Sequence, residues 1–146
     1  MTTQDTQANQ FDMTRPLPVV QPWSEAFWAG AREGRLLLQH CKACDATIFY
    51  PRKFCPECWS ADIEWRQASG RATVYTFSTA YDMVEPRFWG DLPYTIAYVD
   101  LKEGPRMMTR IVECAPGDIK INMEVEVTFH KLDDKFSLPF FRPVKK

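Results

Sequence analysis

The apolar positions of this chain change period twice, and those changes divide it. Residues 1–22 carry no period: 1–10 is polar, and Pro16, Pro18 and Pro22 follow. Such a stretch reads as an extended, poorly ordered lead-in that drapes over a neighbour. A helical period comes next, with Phe27, Trp28 and Ala31 on one stripe. Ser24 is placed to cap that helix, Glu25 puts a negative charge in its first turn, and Gly34 is a natural stop. Ordinary packing is the expected use of the stripe, ahead of a partner surface.

Past the helix, residues 35–40 read as a strand and 47–50 as a second that Pro51 ends. This hairpin is too small to bury a core of its own. From Ile63 onward, short apolar runs alternate with turns. The runs at 72–81, 94–101, 106–112, 124–130 and 136–142 are β-branched, aromatic or apolar, and 102–105 and 116–118 make turns. Val125, Val127 and Phe129 fall on one face of the fourth run. Five strands in so short a span predict a small closed or nearly closed β-barrel, which buries its own edges. The expected fold is mainly β with an N-terminal helical segment: lead-in 1–22, helix 23–36, metal-stapled ribbon 37–62 and barrel 63–146. The connection 82–92 holds Met83, Pro86, Phe88 and Trp89 among few charges. Such a loop either binds something or lids the barrel.

The ribbon carries the clearest chemistry. Cys41-x-x-Cys44 and Cys55-x-x-Cys58 stand ten residues apart. Two residues between paired cysteines let the backbone curl until both sulfurs face one point. Four thiolates at tetrahedral corners, each about 2.3 Å from the ion, suit zinc. All-thiolate sites select zinc or iron, and a rubredoxin-like iron is the chief competitor. Two disulfides, or a redox pair, would use the same residues. With all four positions filled by protein, no site stays open to water or substrate, so one structural Zn2+ per chain is expected at Cys41, Cys44, Cys55 and Cys58. His40 adjoins the first ligand and reads as a bystander.

Composition narrows the function. Hydrophobic residues make 45% of the chain and charged residues 25%, as in a soluble globular protein. The net charge of −1 speaks against a dedicated nucleic-acid binder. The amino terminus has no signal-peptide pattern, and no run of about 18 apolar residues exists to span a membrane. A reducing cytoplasm is therefore expected, where thiolates bind metal rather than pair. Cys114 is left over and reads as a small apolar packing residue.

With those marks placed, the chain resembles the acyl-CoA-associated zinc-ribbon/OB-fold family. The resemblance opens at Phe27-Trp28 and runs through Leu38. It continues at Pro51-Arg52, Glu64-Trp65, Ser69-Gly70-Arg71, Val74-Tyr75-Thr76, Pro93-Tyr94 and Gly104-Pro105-Arg106, and closes at Leu138-Pro139 and Phe141-Arg142-Pro143. It spans about residues 22–143. It implies a helical segment, a rubredoxin-like zinc ribbon and a C-terminal OB-fold barrel. It also implies a small partner subunit of thiolase-superfamily or other CoA-thioester enzymes, in a hetero-oligomer. Asp45 and Trp59 stand where that family commonly has glycine after each knuckle, as does Asn122 further on. Asp and Asn tolerate a left-handed backbone and Trp does so poorly, so an altered second knuckle is expected.

Catalysis by the chain itself finds little support. A thiolase needs a nucleophilic cysteine with a histidine base, and Cys114 with His130 is the sole conceivable pair. No nucleophile-elbow pattern surrounds Cys114, and no glycine-rich phosphate loop is legible. Chemistry is expected to belong to a partner. Arg32, Arg35, Lys42, Arg52 and Lys53 concentrate cations near the ribbon, tempered by Glu33, Asp45 and Glu57 to +2 over residues 32–58. As a set they are candidates for the phosphates of coenzyme A, with a solvated surface as the plain alternative. A single-stranded nucleic-acid module is the competing class, because zinc ribbons and OB-folds both serve it.

Overall fold

The computed structural model of the chain describes residues 14–145. Most of the expected lead-in, 1–13, lies outside the described residues. Helix α1, Glu25–Arg32, begins where the stripe predicts. Ser24 does not cap it with its side chain, however. Its backbone already sits near the helical region (φ −110°, ψ −3°) rather than extended, so the hydroxyl faces back and takes the Gln21 N–H at 3.0 Å. The other end follows expectation. Gly34 adopts φ +75°, which lets Arg35 N–H reach Gly30 O (2.9 Å) and Gly34 N–H reach Ala31 O (3.1 Å). Those two bonds satisfy the last carbonyls of the helix.

Three strands make the ribbon: β1 (Leu37–Cys41), β2 (Thr47–Ile48) and β3 (Ile63–Gln67), in the order β2-β1-β3. The strand expected over 47–50 stops at Ile48, because Phe49 turns into the core and meets Phe27 edge-on at 6.1 Å. Ile63–Gln67, grouped with the barrel on sequence, pairs with β1 from Leu37↔Gln67 to Cys41↔Ile63.

The second unit is a closed five-stranded barrel of β4 (Arg71–Ala80), β5 (Tyr94–Leu101), β6 (Arg106–Ile111), β7 (Glu124–Lys131) and β8 (Ser137–Pro143), ordered β4-β5-β6-β8-β7. All its pairings are antiparallel except β6 with β8, joined at Ile111↔Phe141. Val74, Val99, Met107, Val125 and Phe141 fill the interior at no more than 1% exposure. Val127 and Phe129 pack against that core as the alternation predicts. Closure leaves no edge strand in the barrel.

One core spans helix, ribbon and barrel, since Phe27, Leu36, Leu38 and Phe49 cluster with the barrel valines. α1 works as a wedge. Trp28 meets Phe136 of the barrel edge-on at 5.4 Å while Phe27 meets Phe49 of the ribbon. The tip of the ribbon has only Cys41, Ile48 and Cys55 as a buried cluster. So few apolar groups cannot offset the entropy of ordering the knuckles, so a metal is needed there.

Candidate metal centre and its surroundings

Two knuckles of matching construction present the thiols. In the first, Asp45 N–H donates to Cys41 O and Cys41 N–H to Ala46 O, each at 2.9 Å. In the second, Trp59 N–H donates to Cys55 O and Cys55 N–H to Ser60 O, again at 2.9 Å. Both turns need a left-handed residue after the second cysteine. Asp45 supplies φ +62° and Trp59 φ +63°. The second knuckle is therefore not altered, contrary to the expectation raised by a bulky Trp59. The indole is 79% exposed, so its bulk meets no obstacle, and the paired hydrogen bonds hold the backbone in a costly region. Asn122 takes φ +66° in the same way.

The four sulfurs lie within 4.8 Å of one another, with Cys41–Cys58 and Cys44–Cys55 both at 3.6 Å. A tetrahedral zinc with 2.3 Å bonds requires sulfurs about 3.8 Å apart, so the donor set fits such an ion. A disulfide needs about 2.05 Å, and all five cysteines are free thiols. Cys41 and Cys55 are fully buried, whereas Cys44 and Cys58 reach the surface.

Electrostatics also call for a cation. Burial opposes ionisation of Cys41, but the backbone N–H groups of Cys44 and Ala43 outweigh it and bring the thiol down to about 7. Cys44 receives the Ala46 N–H, yet burial and its three sulfur neighbours push it up to about 12. Cys58 is likewise raised, against the help of the Ser60 N–H, by burial and by Cys41. Four thiolates repel one another unless a metal neutralises them. His40 stays outside the cage. It is buried, with Nε2 3.1 Å from Asp45 Oδ1, and so braces the first knuckle.

The five candidate cations are not gathered into one site. Arg35 is held by Glu33 at 3.0 Å through Nε, and Lys42 by Asp62 at 3.3 Å. Lys53 lies over the Phe54 ring, 5.4 Å from its centre, and Arg32 is exposed at the end of α1. Arg52 is fixed by its backbone, bonded both ways to the buried Gln39 amide at 2.7 and 2.9 Å. It lines a cleft of about 500 Å³ between ribbon and barrel, together with Tyr50, Glu57 and Arg106.

Cys114 and His130 do share a cavity, of about 310 Å³. Burial and then Asp118 push the Cys114 thiol up, and the His130 ring is stacked on Phe140 at 5.4 Å. A raised thiol is a poor nucleophile at neutral pH. The loop 82–92 splits its aromatics. Phe88 is packed beneath two arginines, while Met83 and Trp89 face solvent. Two features escaped the sequence reading. One is the latch of Arg15, Asp91 and Arg110. The other is an apolar ladder on the outer face of β5 and β6, signalled by apolar residues in both phases of 94–101.

Among known proteins, residues 28–64 match the family described as the ChsH2 rubredoxin-like zinc ribbon domain. Residues 65–130 match the ChsH2 C-terminal OB-fold domain. A probable enoyl-CoA hydratase alpha subunit of Thermomonospora curvata is 37% identical over 130 residues, covering 88% of this chain. The chain spans 40% of that relative's length. A DUF35 domain-containing scaffold protein of Methanocaldococcus jannaschii is 36% identical, covering 73% of this chain and 77% of the relative. The benzoylsuccinyl-CoA thiolase subunit BbsA of Geobacter metallireducens is 33% identical over 60% of this chain and 57% of its own. Among solved structures, the Ltp2-ChsH2(DUF35) aldolase has a chain 34% identical, with TM-score 0.78, covering 87% of this chain and 98% of that one. Ribbon, barrel and cysteine cage thus fall in one order over nearly the whole chain, which belongs to the ChsH2-type zinc-ribbon/OB-fold (DUF35) family.

Proposed function

We propose that the chain is a non-catalytic accessory subunit of a thiolase-superfamily or related acyl-CoA enzyme. A structural zinc braces it, and it stabilises the complex and helps to position the CoA thioester. The closed thiolate cage carries this reading: four protein donors fill a tetrahedral ion and leave no position for chemistry. The raised Cys114 thiol supports it, because the one cysteine outside the cage is a poor nucleophile. Relatives named as a hydratase alpha subunit and a thiolase subunit support assembly with an enzyme. For CoA, the ribbon–barrel cleft offers the Arg52 guanidinium and the Tyr50 ring, the groups that phosphate and adenine require.

The test is co-expression with a thiolase-like or hydratase-like enzyme subunit from the same organism. Co-purification, with thioester turnover that falls when the chain is omitted, is the expected result. An enzyme fully active alone that never co-purifies with the chain, or thioester cleavage by the isolated chain, ends the proposal.

A further inference from the structure

The outer face of the barrel is apolar where a surface strand should be polar. Along β5 the odd residues Thr95, Ala97, Val99 and Leu101 are buried, so Ile96, Tyr98 and Asp100 point outward. Along β6, Arg106, Met108 and Arg110 point outward, paired as Asp100↔Arg106, Tyr98↔Met108 and Ile96↔Arg110. The middle of this ladder is exposed: Met108 52%, Tyr98 43%, Ile96 40%, with Tyr75 of β4 at 50% beside it. A register shift between Val74 and Thr76 falls at Tyr75. The ladder runs into a groove of about 490 Å³, walled by the barrel's Leu138 and Phe140 and by the ribbon's Phe49 and Tyr50.

The charges at the ends of the ladder are already spent within the chain. Arg106 makes two bonds to Asp100, at 2.6 and 3.2 Å, and its guanidinium carbon lies 3.3 Å from the Tyr75 ring centre. Arg110 bonds Asp91 at 2.8 Å and stacks on Tyr94 at 3.9 Å, and among the described residues it is the one charged side chain lining the groove. A face with compensated arginines cannot reward phosphates, which exchange counterions for free cations. It rewards an uncharged apolar surface. Tyr, Met and Arg around an apolar centre are also the residues that protein interfaces favour. This pair of strands is the ligand face of an OB-fold barrel. Closure removes free edges, so the occupant docks through side chains and not by adding a strand.

We infer that the Ile96–Tyr98–Met108 ladder and the groove beside it form the docking surface for an uncharged apolar segment of the partner enzyme. This rests on the accessory-subunit reading above and names the face it uses.

The test pairs the full chain with the co-expressed enzyme subunit. Binding is measured by biolayer interferometry for wild type, Tyr98→Ala with Met108→Ala, and Met108→Asp. Far-UV circular dichroism and zinc content check that each variant keeps its fold. Weakening of at least tenfold by the double variant and more by Met108→Asp is expected. Wild-type complex should also show slowed hydrogen exchange over residues 94–110. Wild-type binding that these variants leave unchanged, with no protection over 94–110, overturns this inference and leaves the accessory reading intact. No binding by wild type overturns both. Salt-sensitive binding of oligo-dT that Met108→Asp abolishes assigns the face to nucleic acid. Self-association in sedimentation velocity that the same variant abolishes assigns it to a second copy. Either result overturns the inference.

Discussion

The Asp91 carboxylate accepts a 2.8 Å hydrogen bond from Arg110 Nη1 through one oxygen and a 2.5 Å bond from Arg15 Nη2 through the other. Arg15 lies 76 residues earlier in the chain, so one side chain ties the lead-in, the 82–92 loop and strand β6 together. Both guanidinium groups also sit over Phe88, at 5.4 and 5.6 Å. Burial opposes the charge on Asp91, but the two arginines prevail and hold it below the ordinary aspartate range. A depressed pKa means the latch stabilises the fold above the unfolded aspartate value and is lost as pH falls through the folded one.

Asp91→Asn should therefore destabilise the chain at neutral pH by about 1–2 kcal/mol, the scale of charge-assisted hydrogen bonds at a partly buried site. The gap between variant and wild type should start to narrow below about pH 4, where unfolded aspartate binds its proton, and close as pH falls through the lower folded value. Urea unfolding at pH 7 and at pH 3 checks both. A gap of the same size at both values would mean that packing, not the charge, holds the latch.

Loading the cage should displace protons, because Cys44 and Cys58 are raised in the metal-free protein. Zinc affinity is then expected to fall as pH drops, since protons compete for the same sulfurs. Elemental analysis should find one zinc per chain, and Cys41→Ser or Cys55→Ser should remove it. Chelation should melt the ribbon tip, whose own buried cluster is three residues, before the barrel. Hydrogen exchange that rises over 41–62 while 94–111 stays protected is the expected pattern. Uniform loss of protection would mean that ribbon and barrel unfold as one.

Trp59 is a test of backbone strain. It holds φ +63° with 79% of its surface exposed, so Gly at this position gives up little packing and removes the left-handed penalty. Trp59→Gly is expected to stabilise the zinc-loaded chain by up to about 1 kcal/mol, raising Tm by about 2–4 °C for a domain of this size. Trp59→Val should destabilise it, since a β-branched residue tolerates this region least. A lower Tm for Trp59→Gly would show that the indole packs against something.

Much of this architecture is legible in local pattern. The barrel strands announce themselves because Val74, Val99 and Val125 recur in phase with the pleat, and the knuckles because two residues separate each cysteine pair. What escapes is nonlocal. Ile63–Gln67 falls inside the segment 63–146 assigned to the barrel on sequence, yet its partner is β1, a choice set by the register Cys41↔Ile63 and not by propensity. The outer ladder hides because a strand apolar on both faces reads as buried on both. Asp91 hides because nothing near it in sequence foretells Arg15.

The junction of ribbon and barrel supplies the sharpest stability test. Gly70 adopts φ +77°, and a Cβ there would stand 2.7 Å from Val127 Cγ1. Its carbonyl meanwhile accepts the Val127 N–H at 2.8 Å, so the two backbones cannot separate without losing that bond. Gly70→Ala should thus suffer strain and overpacking together, about 2–4 kcal/mol in all. Val127→Ala alone opens a small cavity, about 1–2 kcal/mol for a half-buried valine. In the double variant the methyl occupies that space, so only the left-handed strain remains. The pair should then cost at least about 1 kcal/mol less than the two single changes summed, a coupling measurable by denaturant titration. Simple additivity would mean that Val127 yields freely, leaving φ alone as the reason for glycine at position 70.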